Sequence, residues 1–102
     1  MDKLTVNKII ELNFKKGKFS EFTKSNYNLF IENINPDYRI DVIKELSISD
    51  TPVFLITSYK NKSKAAYFWC FEGAFYFKNI ERTYVSFVLS DIFDFIDEFF
   101  YN

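Results

Sequence analysis

The stretch Ala65-Ala66-Tyr67-Phe68-Trp69-Cys70-Phe71-Glu72-Gly73-Ala74-Phe75-Tyr76-Phe77 decides the fold. A β-strand points successive side chains to opposite faces, so Tyr67, Trp69 and Phe71 line one side while Phe68 and Cys70 line the other. Glu72-Gly73 breaks the run where a turn is needed, which makes the stretch a β-hairpin. Large apolar rings then sit on both faces of one sheet. Each face needs a cover, from the chain's own helices or from a partner.

Upstream, the Lys60-Asn61-Lys62-Ser63-Lys64 loop leads back to Val53-Phe54-Leu55-Ile56-Thr57, opened by Pro52, whose β-branched content predicts an inner strand. Before it, Tyr38, Ile40, Val42, Leu46 and Ile48 alternate with Arg39, Asp41, Glu45 and Ser47, the pattern of a strand with one polar face. From Phe19 to Ile34 the helical period takes over. Phe19, Phe22, Leu29, Phe30 and Ile34 share one arc, Ile31 falls outside it, and Asn35-Pro36-Asp37 ends the helix. Leu4 to Lys16 reads as a first helix, with Lys15 and Lys16 in its last turn and Gly17 at the left-handed position beyond it. Leu4, Val6, Ile10, Leu12 and Phe14 also fit the strand period, so both readings of that segment stand.

Downstream, Thr83 to Val88 adds a candidate strand. The last element is a helix begun at an expected Ser90 N-cap. Leu89, Ile92, Phe93, Phe95, Ile96, Phe99 and Phe100 gather on one side of it, and Asp91, Asp94, Asp97 and Glu98 on the other. The expected architecture is α+β in one domain of 102 residues: an N-terminal helical pair, an antiparallel sheet of four to five strands, and a C-terminal amphipathic helix packed on the sheet.

Composition narrows the chemistry. Fourteen Phe, seven Tyr and one Trp supply a dense core without staples, and the single Cys70 has no partner for an internal disulfide, which fits a reducing compartment. The first residues lack an apolar leader segment, and no apolar run approaches the ~20 residues that span a bilayer. The expectation is a soluble, cytoplasmic protein. Lys outnumbers Arg and Ala is scarce, the usage of low-GC bacteria and their phages.

Histidine is absent. That removes the commonest general base, the commonest transition-metal ligand and any Ser-His or Cys-His nucleophile. One Cys without His cannot build a structural zinc site. Cys70, mid-strand among rings, reads as an inert buried thiol. The two glycines, Gly17 and Gly73, form no phosphate-binding loop. No enzyme, metal or cofactor is expected.

What remains is surface. Residues 1–64 carry 11 Lys/Arg against 8 Asp/Glu, and residues 65–102 carry 2 against 6. Asp97 and Glu98 lie at the negative end of their helix, where each carboxylate costs ~0.3–1 kcal/mol, and no Lys or Arg follows Arg82 to relieve it. A basic ligand would account for that cost. Tyr and Trp make good interface anchors because they bury much area at low entropy cost. Asp91, Asp94, Asp97 and Glu98, with Tyr67 and Trp69, are therefore the expected partner-binding residues. The class they suit is a small inhibitor that occupies another macromolecule's surface, of the toxin-neutralising immunity or phage anti-defence (anti-CRISPR-like) type. Its expected partner is a protein such as a basic nuclease or nucleoprotein. Self-association through the aromatic sheet would also absorb the surplus rings. The alternative from another class is a single-stranded nucleic-acid binder using Lys15, Lys16, Lys18, Lys60, Lys62 and Lys64 with an aromatic sheet face. It ranks second, because the net charge is −1 and Arg is rare.

Overall fold

The computed structural model describes residues 21–48 and 51–101 and shows an α+β arrangement. In chain order the elements are α1 (Glu21–Asn33), β1 (Tyr38–Ile48), β2 (Thr51–Ser58), β3 (Ala65–Phe71), β4 (Ala74–Lys78), β5 (Thr83–Ser86) and α2 (Leu89–Tyr101). The five strands form an antiparallel meander in sequence order. The first helix of the expected pair, Leu4–Lys16, lies outside the described residues; the second is α1.

The β3–β4 hairpin turns on Glu72 and Gly73, both at positive φ (50° and 79°). Two successive left-handed residues match the right-handed twist of the flanking strands, and glycine accepts that geometry at the second position without strain. Pro52 falls at the register shift of the β1–β2 ladder, between the pairs Ile43–Val53 and Ile48–Thr51, so its missing N–H breaks no regular pairing.

Register sorts the sheet into two unlike faces. Phe54, Phe68 and Phe77 stand in one cross-strand row on the inner face. Phe30 of α1 stacks on Phe68 with ring centroids 3.8 Å apart, and Phe93 of α2 stacks on Phe30 at 5.7 Å. Tyr27, Phe30, Ile31 and Ile34 from α1 and Ile92, Ile96 and Phe100 from α2 complete this core. The buried stripe of α1 is thus rotated from the expected arc: Ile31 is 1% exposed and Leu29 47%. The reason is Tyr27, whose hydroxyl donates to the Pro52 carbonyl at 2.6 Å and accepts the Cys70 amide at 3.1 Å. Satisfying that hydroxyl allows a phenol inside the core, and the helix turns to present it.

Both described helices lie on this one face. The opposite face carries Leu55, Tyr67, Trp69, Phe71 and Tyr76, all half-buried. Trp69 and Tyr76 are cross-strand partners, nearly coplanar at 3° with centroids 5.2 Å apart. No helix among the described residues is long and apolar enough to cross a membrane.

Candidate functional site

The β5–α2 corner sets the acidic helix in place. The Ser86 hydroxyl lies 2.7 Å from the Asp91 carboxylate and accepts the Val88 amide at 3.0 Å, while the Asp91 amide donates to the Val88 carbonyl at 3.1 Å. The helix begins one residue before the expected cap, Ser90, and it is Ser86 from the preceding strand that reaches its first turn. Asp91 also complements the positive end of the helix dipole.

At the other end the expected electrostatic cost is partly met from afar. Lys64, in the β2–β3 loop, donates from Nζ to the Phe99 carbonyl at 2.6 Å and rests 5.1 Å over the Phe99 ring. A cation on the last carbonyls is the favourable partner for a helix C-terminus. Tyr38 donates its hydroxyl to Asp97 Oδ1 at 2.8 Å. Burial first, and then that bond to a carboxylate, hold the Tyr38 proton well above the usual tyrosine value of 10.0. The sequence showed no relief within the helix because these partners lie 35 and 59 residues away.

Asp91, Asp94, Asp97 and Glu98 all remain exposed on the side of α2 turned away from the sheet. Two engage neutral hydroxyls; Asp94 and Glu98 have no hydrogen bond or ion pair to any described residue, and no cation among the described residues pairs with the four. Tyr101, 56% exposed, stands at the end of the same helix. Its hydroxyl reaches Asp37 at 3.3 Å.

Tyr67 and Trp69 are not beside this helix. They lie on the opposite face of the sheet, so the acidic side chains and the expected aromatic anchors occupy opposite sides of the described sheet-and-helix unit. A flat partner can touch one set or the other. The alternation that sorted the β3 rings was legible in sequence, but the side on which α2 packs was not.

The lysines divide too. Lys15, Lys16 and Lys18 lie outside the described residues. Lys60 pairs with Asp37 at 3.3 Å and Lys64 is committed to α2, leaving Lys62 exposed at the loop tip. The far face adds Lys78, the cross-strand neighbour of Tyr67, which sequence reasoning passed over; register, not spacing, reveals it.

Cys70 is 3% exposed, and burial pushes its thiol well above the usual value of 9.0. A thiol held protonated is a poor nucleophile. Among the described residues no group of three His, Cys, Asp or Glu side chains is placed to hold a metal. A groove beside α2, lined by Lys64, Ile80, Arg82, Tyr84, Phe95 and Glu98, mixes both charge signs with apolar rings.

Comparison with protein-family models, with curated proteins and with solved structures finds no match.

Proposed function

We propose that this chain is a non-enzymatic binding protein that inhibits a partner by occupying its surface, in the manner of immunity or phage anti-defence proteins, with the outer side of α2 as its contact. The observation that carries this is the row Asp91, Asp94, Asp97 and Glu98, exposed on an ordered helix and paired with no cation among the described residues. Such a row complements a basic protein surface, speeding encounter and excluding acidic competitors. Tyr101 supplies an aromatic anchor on the same helix. Tyr67 and Trp69 belong to the other side and serve this contact only if the partner wraps around the sheet edge.

The test is affinity capture from the source cells with the wild-type chain and with the D94K/E98K variant. Support is one basic protein, captured by the wild type, whose own activity falls on adding the wild type and recovers with the variant. A protein captured equally by both removes α2 from the reading.

One observation favours a second reading. Both described helices cover one sheet face, and the other presents the Trp69–Tyr76 stack and the Tyr67–Lys78 pair. Open antiparallel sheets with ring-bearing central strands can stack unpaired bases. A filter-binding series with single-stranded RNA and DNA decides it: salt-sensitive retention abolished by Trp69→Ala supports this reading, and no retention at low salt ends it.

A further inference from the structure

We propose that the outer edge of β5 is a self-association edge, through which two copies pair antiparallel about a twofold axis at Tyr84 and join their five-stranded sheets into one of ten strands.

The phase of the β4–β5 ladder decides which backbone groups of β5 face outward. The Asn79 amide donates to the Arg82 carbonyl at 3.0 Å. Backbone groups alternate sides along a strand, so Arg82, Tyr84 and Ser86 turn theirs toward β4, while Thr83 and Val85 turn theirs outward. No described residue bonds those outward groups. Proteins guard such edges with lysine, proline, bulges or inward charges. The opposite edge strand, β1, shows such devices: the Arg39–Asp41 pair and a register break between Ile43 and Ile48. β5, Thr83-Tyr84-Val85-Ser86, is only four residues long but holds no lysine, proline or charge.

Large apolar side chains crowd this same edge. Val85 is 53% exposed, Phe87 77% and Val88 53%, and Ile80, at the β4–β5 turn, is 93% exposed. Four large apolar residues so exposed on one margin are the mark of a contact surface.

Self-complementarity selects a second copy as the occupant. With Tyr84 on the axis, Thr83 faces Val85 of the second copy, and each pair exchanges its outward N–H and C=O. Arg82 then faces Ser86 of the second copy, whose hydroxyl is already in contact with Asp91. The guanidinium, poised 4.9 Å over its own Tyr84 ring, lies on the same face as that carboxylate. Two symmetric Arg82–Asp91 pairs result. Beyond the strands, the turn bearing Ile80 comes alongside Val88 of the second copy. Shifting the register by two residues sets Arg82 against Val88 and loses the charge match. The Tyr84-centred register joins Arg82 to Asp91 and sets Ile80 beside Val88, while Phe87 falls opposite Glu81; it is the charge match that selects it, and isologous contacts of this kind close as dimers. The inference shares Asp91 with the partner reading above but rests on neither Asp94 nor Glu98, so the D94K/E98K variant, which tests that reading, leaves the β5 contact untouched.

The test is sedimentation equilibrium over a dilution series. The wild type is expected at twice the 12.2 kDa chain mass at the upper concentrations. Val85→Pro deletes an outward N–H while sparing the ladder to β4, and should yield a folded monomer. R82E and D91R should each weaken dimerisation about tenfold or more, and R82E/D91R should restore it. A wild type that stays at 12.2 kDa throughout overturns the proposal. So does a dimer that survives Val85→Pro, and failure of the double reversal to restore association overturns the register. Should Val85→Pro lose its circular dichroism, the charge-swap series decides alone.

Discussion

At Tyr27 a phenol sits wholly inside an apolar core, and its hydroxyl ties three elements together: α1 by its own backbone, β2 through the Pro52 carbonyl and β3 through the Cys70 amide. Tyr27→Phe keeps the ring but strands both backbone groups, at a cost of ~1–3 kcal/mol; urea midpoints on the two proteins measure it, and no change would show that water replaces the hydroxyl. The same residue bears on pH. Burial above all raises the Tyr27 hydroxyl, and burial likewise raises Tyr38 and Cys70. The unfolded chain releases these protons near pH ~8.5–10, whereas the folded chain keeps them. Above that range the folded state binds more protons, so stability falls as pH rises, while below it the contribution is complete. Urea midpoints should therefore decline from about pH 9 upward, less steeply in Tyr38→Phe and Cys70→Ala. A flat profile to about pH 10.5 would contradict the burial of these groups.

The elements show where sequence reading succeeds and why it stops. Strand alternation over 65–77 predicted the hairpin, its turn and the two faces, because a period of two leaves no freedom once the turn is placed. The amphipathic split of α2 was equally plain, since its carboxylates and rings do not mix. α1 was harder. Its stripe includes a tyrosine whose hydroxyl partners are 25 and 43 residues distant, and hydropathy alone rotated the helix toward Leu29. The α2 C-terminus taught the same lesson, its cation coming from the β2–β3 loop. Lys64→Met keeps the aliphatic stem over Phe99 but removes the charge from the last turn, and should cost ~0.3–1 kcal/mol. Amide exchange at residues 98–101 should quicken while the strands stay protected. Unchanged exchange there would mean the Lys64–Phe99 bond holds nothing in solution.

Across the molecule as a whole, the described residues divide into two unlike sides. One side presents the acidic helix, the other the ring-bearing sheet, and the outer edge of β5, bonded by no described residue, runs between them. The expected site drew its residues from both sides because sequence spacing gives the phase of each element but not the layer that covers it. Each surface has its own variant: D94K/E98K for the acidic side, Trp69→Ala for the sheet face and Val85→Pro for the β5 edge. The central claim is that the outer side of α2 is the contact. Carboxyl footprinting with a carbodiimide and an amine tests it most directly, performed on the chain alone and on its captured complex, with labels located by mass spectrometry. The account predicts that Asp94 and Glu98 label readily in the free chain and are shielded in the complex, while Glu72 at the hairpin tip labels equally in both. Equal labelling of Asp94 and Glu98 in the two samples would contradict it.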